Sequence, residues 1–139
     1  MKKFHFYTMF FFVIFSCQTK RGTSLTKGCY VYNVDDNLIK FEVEKTGETV
    51  SGNLDYAFAE KDKNHGTFTG HFKGDTLIGD YTFQSEGMIS SREVAFLVKN
   101  NQLFEGYGQI ITNGSEVKFK DSGALKFNST MPLKQKDCN

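Results

Sequence analysis

The sequence predicts an all-β domain, an antiparallel up-and-down β-barrel of 8–9 strands, and three observations carry that expectation. From Gly28 onward apolar residues recur with a period of two. Turn-forming residues interrupt that period at regular intervals. Glycines recur on the face that the apolar residues share. A period of two marks strands with one buried and one solvated face, whereas a helix would repeat every 3.6 residues. Closure into a barrel removes the sheet edges, and glycines on the inner face suit strands that bend sharply to close. A two-sheet β-sandwich fits the same pattern and stands as the alternative.

The elements follow in order. Ile39, Phe41 and Val43 alternate with Lys40, Glu42 and Glu44. Val50, Gly52, Leu54, Tyr56 and Phe58 alternate with Thr49, Ser51, Asn53, Asp55 and Ala57. Gly66, Phe68, Gly70 and Phe72 then form one face of a third run, and Leu77, Gly79, Tyr81 and Phe83 one face of a fourth. Further strands are expected near 91–99, 102–110, 115–120 and 124–128. Asp35-Asp36-Asn37, Thr46-Gly47, 61–64, Gly74-Asp75, Asn100-Asn101 and Asn113-Gly114 separate them as hairpin turns. The stretch from Gln84 to Glu93 reads as the longest break between strands, a loop carrying Met88 and Ile89 among Glu86, Arg92 and Glu93. Long loops in compact β domains often carry function, and methionine adapts to varied ligands. The competing reading is a plug, with Met88 and Ile89 sealing one end of the barrel and Arg92 paired to Glu86.

The N-terminus has a separate logic. Met1-Lys2-Lys3 is a short basic start, Phe4 to Phe15 is an almost unbroken apolar run, and Ser16-Cys17 closes it before polar Gln18-Thr19-Lys20-Arg21. The run is about a dozen residues, and a membrane-spanning helix needs roughly 20. This arrangement resembles the signal peptide of a bacterial lipoprotein, although Phe15 is bulkier than the residue usual two positions before the cysteine. The resemblance implies cleavage after residue 16 and lipidation of Cys17, with the membrane as a partner through the lipid anchor. It places the protein in the cell envelope, and no Asp follows Cys17, which is compatible with outer-membrane sorting. A secretory leader without lipid is the competing reading. The expected organisation is a leader over 1–16, a lipidated tether over 17–27 and a single domain over 28–139.

Loss of residues 1–16 would remove Lys2 and Lys3, leaving 15 basic against 16 acidic side chains and a net charge of −1. The signs are interspersed, so no basic stripe for nucleic acid exists. The remaining 123 residues suffice for one domain that buries roughly two-thirds of its unfolded surface. Cys29 and Cys138 stand near opposite ends of that domain. In an exported protein such a pair reads as a disulfide closing the termini together, against the alternative of two free thiols on a loose tail after Pro132.

Chemistry-bearing motifs are sparse. His65 and His71 share a strand face, but six residues of extended chain separate them by about 20 Å, too far to ligate one ion. No metal and no cofactor is expected. Neither a Gly-x-Ser-x-Gly elbow, a phosphate loop opening a helix, nor a Cys-His nucleophile pair occurs, so no enzyme is expected. Three functional classes remain: a binding protein holding a small apolar or amphipathic ligand, an envelope protein acting through protein contacts, and, last, an enzyme. For the first class, Tyr56, Phe68, Tyr81, Phe83 and Phe96 would wall a pocket, with Glu86, Met88, Arg92 and Tyr107 at its mouth. Hairpins alternate between the two rims, and the rim with turns near 35–37, 60–64, 84–91 and 112–115 is expected to hold the longer loops and the open end.

The segment from Gly66 to Gly108, GTFTGHFKGDTLIGDYTFQSEGMISSREVAFLVKNNQLFEGYG, resembles small lipoproteins of Gram-negative envelopes, a group that brings no established activity with it. The overall plan is similar to lipocalin-like barrels, without their Gly-x-Trp signature, since the chain has no Trp. It is also similar to the disulfide-closed lipoprotein inhibitors of lysozyme, without their Ser-Gly inhibitory loop. These likenesses imply fold and address, not activity.

Overall fold

The computed structural model describes residues 22–61 and 63–139. The expected leader, Cys17 and the first part of the expected tether lie outside the described residues. The elements are β1 (Gly28–Val34), β2 (Asn37–Lys45), β3 (Val50–Ala57), β4 (Lys63–Lys73), β5 (Thr76–Ser85), β6 (Met88–Lys99), β7 (Gln102–Glu105), β8 (Ile110–Asn113), β9 (Glu116–Phe119), a 3-10 turn (Ser122–Ala124) and β10 (Leu133–Lys136).

β1 to β7 form an antiparallel meander in which each strand pairs with the next. The chain then leaves the wall at Gly106, runs outside it, and returns as β10 between β7 and β1. Eight strands thereby close a barrel, as expected, and β8 and β9 are additional. β7 is short and pairs with β6 only from Phe96 to Lys99. Beyond it, the same edge of β6 is taken by β9, in parallel, at Ser91–Glu116 and Arg92–Val117. β8 hairpins onto β9 and ends the sheet. The β8–β9 hairpin is therefore an arm lying against the wall where β7 stops.

The inward set follows the period-two reading. Ile39, Phe41, Val43, Val50, Leu54, Tyr56, Phe68, Leu77, Tyr81, Val94, Phe96, Leu103 and Leu133 form one buried cluster. Phe41 meets Phe68 edge-on at 5.1 Å between centroids and stacks on Phe96 at 5.8 Å. The barrel interior is thus filled by rings that contact one another. Gly70 and Gly79 pair across β4 and β5, and a Cβ on Gly79 would stand 2.4 Å from the Gly70 Cα. Only glycine allows that approach, and it tightens the curve of the wall. A bulge between Val43 and Lys45 adds a second bend in β2.

Four expectations are corrected. The 84–93 stretch is not a long loop: β5 and β6 pair from Thr76–Leu97 down to Ser85–Met88, joined by the two-residue turn Glu86-Gly87. Both turn residues have positive φ (50° and 77°), the requirement of a tight type I′ hairpin, which glutamate seldom meets. Met88 and Ile89 are 66% and 71% exposed, so they do not plug the barrel. Residues 124–128 form no strand; Lys126 makes one isolated bridge to Tyr107, and the closing strand is 133–136 instead. The rim expected to carry longer loops holds the two-residue turns at 35–36, 86–87 and 114–115 beside one five-residue connection at 58–62.

At the opposite rim the chain ends meet. Cys29, within β1, is bonded to Cys138, just past β10, with Cα atoms 5.2 Å apart. Part of the expected tether docks here: Leu25 is buried in the core cluster, the Thr26 Oγ1 lies 2.9 Å from the Tyr30 hydroxyl, and Thr23 donates to Asp75.

Candidate functional site

The inner face of β6 continues past Val94 to Arg92, and that of β7 passes from Leu103 to Glu105. Both charged side chains thus arrive toward the end of the barrel remote from the disulfide. Arg92 pairs across the ladder with Tyr81, whose ring centroid is 5.6 Å from the guanidinium carbon. Tyr56 reaches the same guanidinium from β3, at 4.7 Å. Between them Gly66 leaves room, since a Cβ there would stand 2.8 Å from the Tyr81 ring. A guanidinium over two tyrosine faces is a favourable cation–π arrangement, strengthened where water is excluded.

Glu105 is 5% exposed, the one buried carboxylate among the described residues. The Tyr56 hydroxyl donates to its Oε1 at 3.0 Å and the Tyr107 hydroxyl to its Oε2 at 3.3 Å. Arg92 Nη2 lies 3.9 Å from Oε1, an ion pair too long for a hydrogen bond. Burial pushes the Glu105 carboxyl above its ordinary value; the Arg92 charge and the two phenol donors oppose that shift without cancelling it. Burial and the Glu105 charge push Tyr107 up to about 12, and burial pushes Tyr81 to about 12. Burial first and Glu105 second raise Tyr56 well above its ordinary value. All three phenols are therefore protonated donors at neutral pH. Among the described residues, two buried polar atoms in this cluster have no hydrogen-bond partner, the Arg92 Nε and the Tyr81 hydroxyl. An unpaired buried polar group costs about 1–3 kcal/mol, so each of these atoms gains from any acceptor or donor that reaches it.

A cleft of about 150 Å³ opens beside the cluster, between the barrel wall and the β8–β9 arm. Arg92 and Glu105 line it with Val94, Ile110, Val117 and Phe119. The arm is fastened there by the Phe119 amide donating to Glu93 Oε2 at 2.9 Å and by Ser91 N donating to Ser115 O at 3.0 Å. Tyr107 and Gly108 also border a larger open groove of about 710 Å³, flanked by Lys120 and Lys126. An apolar cleft with a few convergent polar groups is the usual form of a small-molecule site.

The residues expected at a binding site divide into three groups. Tyr56, Arg92 and Tyr107 do come together around Glu105, and Tyr81 joins them through the Arg92 guanidinium. Phe68 and Phe96 lie in the packed core, and Phe83 stacks on Tyr81 at 4.9 Å. Glu86 and Met88 stand exposed at the β5–β6 turn, outside the cleft. Glu105 itself was not among the expected contacts, nor were Ile110, Val117 and Phe119. The signal for Glu105 is its phase, since it shares parity with the buried Leu103. His65 and His71 lie exposed on the outer face of β4, His65 against Asp55. Cys29, Cys138 and Glu42 bring possible metal-ligand atoms within 4.8 Å, but the two sulfurs are bonded to each other and supply no thiolate.

Comparison of the chain with protein families, with curated proteins and with solved structures gives no match.

Proposed function

We propose that this is a lipid-anchored envelope protein that binds a small amphipathic ligand, not within the barrel but in the cleft between the barrel wall and the β8–β9 arm. One observation carries the reading: an undersatisfied Arg92 and a buried Glu105 form the floor of an apolar-walled cleft, while the barrel interior is filled with aromatic rings. The filled barrel then serves as a rigid support that holds Arg92, Glu105, Tyr56 and Tyr107 on strands. The anchor belongs to the same reading. Residues 22–27 dock at the disulfide rim, so a lipid on Cys17 would leave the cleft end directed away from the membrane.

The test is to fill the cleft. Val117→Trp should abolish binding of small amphipathic molecules, read by amide chemical shifts of residues around the cleft, and leave the barrel's melting temperature within a few degrees of wild type. Binding that survives Val117→Trp would overturn the site assignment.

A second reading rests on the arm's outer edge. Among the described residues β8 has no partner on that side, all four of its residues are exposed, and Ile110 and Ile111 are 59% and 55% accessible. The segment from Gly108 to Gly114 holds no charge and no proline, the features that normally blunt an edge strand. Such an edge accepts an extended segment of a protein partner by β-addition. A photo-crosslinker at Ile111 that captures no protein in intact cells would refute it.

A further inference from the structure

Resting on the cleft reading, we infer that the ligand carries an uncharged carbonyl head, an amide or ester, held by Arg92, and that Glu105 is the residue that rejects carboxylates. The argument is one of charge and donors. Arg92 can offer N–H groups to an acceptor in the cleft: its side chain is 39% exposed, and its ion pair to Glu105 spans 3.9 Å, too long to be a hydrogen bond. An arginine fork seeks an acceptor, and a carbonyl or a carboxylate both qualify.

The surroundings decide between them. Glu105 and Glu93 both line the cleft, with Arg92 the one cationic residue among those lining it. Glu93 is occupied by the Phe119 amide, and Glu105 by the Tyr56 and Tyr107 hydroxyls, so neither carboxylate is free to turn away. A ligand carboxylate on Arg92 would stand beside the charge of the buried Glu105, and like charges near a buried group are poorly screened. An ammonium head would meet Arg92 itself. An uncharged carbonyl accepts from Arg92 and repels nothing. Val94, Ile110, Val117 and Phe119 then take a short branched or aromatic tail. This is discrimination by an unfavourable element built against the wrong ligand.

The experiment compares three probes sharing one branched tail: isovaleramide, isovalerate and isoamylamine. Each is titrated at neutral pH into the detergent-solubilised full chain, and binding is followed by amide chemical shifts around Arg92, Glu105 and Val117. The expected result for wild type is binding of the amide about tenfold or more tighter than either charged probe, tenfold being about 1.4 kcal/mol. Glu105→Gln keeps the side chain's size and removes the charge, so isovalerate should bind that variant as tightly as the amide. Arg92→Met should weaken the amide about tenfold and leave the isoamylamine constant unchanged or improved. If no probe binds wild type, the cleft reading itself fails. If probes bind but their order is the same in wild type and Glu105→Gln, or Arg92→Met leaves the amide constant unchanged, the head-group inference alone is overturned.

Discussion

Replacing Glu105 with glutamine tests which force governs the buried cluster. Two effects compete at this side chain. Desolvation disfavours the charge, since the residue is 5% exposed. Arg92 at 3.9 Å and the phenols of Tyr56 and Tyr107 favour it. The net direction is upward from 4.5, so desolvation wins. The sign then follows. A carboxyl whose folded-state pKa is raised contributes stability that is fully present below the unfolded value, near 4.5. That contribution is lost as pH rises through the folded value. Each unit of elevation corresponds to about 1.4 kcal/mol. Glu105→Gln removes the charge, keeps an acceptor for Tyr56, and presents an amide donor that the half-exposed Tyr107 hydroxyl can turn to accept. At pH 7 the variant should therefore be as stable as wild type or more stable by roughly 1 kcal/mol, a rise of a few degrees in melting temperature for a domain of this size. The difference between variant and wild type should shrink as pH falls toward 4.5. Paired urea titrations from pH 4.5 to 7.5 read both quantities. A loss of about 2 kcal/mol or more at pH 7, with wild type gaining on the variant as pH rises, would show that the pair with Arg92 outweighs desolvation and would refute the reasoning.

Three other outcomes are expected. Reduction of Cys29–Cys138, or Cys29→Ser with Cys138→Ser, should cost about 4–5 kcal/mol, because the bond closes a loop spanning 109 positions; equal urea midpoints in oxidised and reduced protein would contradict this. Gly79→Ala should cost about 1–3 kcal/mol by overpacking, since its Cβ would stand 2.2 Å from the Thr69 carbonyl oxygen, and an unchanged melting temperature would show that the strands are not so closely apposed. Cys17→Ala should abolish fatty-acid labelling and release the protein from membranes, and a variant that still takes up labelled fatty acid would rule out the lipid anchor at that position.

Much of the barrel was legible from local chemistry. Phe41, Leu54, Phe68, Leu77 and Tyr81 announce their face by alternation alone, because a strand's side chains reverse direction at every residue. The inward glycines likewise pointed to a tightly curved wall. The Cys29–Cys138 disulfide is legible as a cysteine pair standing near opposite ends of one domain, a bond that closes the termini together. The two lysines and one glutamine of β10 carry no such signal. Leu133-Lys134-Gln135-Lys136 is a strand because β1 and β7 leave a slot for it, a relation across the whole chain. In the expected strand at 124–128, Leu125 and Phe127 are half-buried near Thr76 and Ile78 of β5 and form no ladder. A Gly106 Cβ would stand 2.4 Å from the Phe127 ring, so the packing there is close.

The site shows the same division. Sequence supplies Tyr56, Tyr81, Arg92 and Tyr107 as residue types able to bind, yet it places Tyr56 and Tyr81 in the wall of an open barrel and Arg92 and Tyr107 at its mouth. Tertiary structure decided otherwise on two counts. The Glu86-Gly87 turn adopts positive φ at a glutamate, which composition does not favour, and so the expected loop is a continuous hairpin. Glu105 occupies an inward position that binary patterning reserves for apolar residues, and it is tolerated only because Tyr56, Tyr107 and Arg92 arrive from elsewhere in the chain to meet its charge. Periodicity is a local property, and one sequence reveals it. Which carboxylate is buried, and beside which cation, depends on the long-range closure that brings β3, β6 and β7 to one end of the barrel.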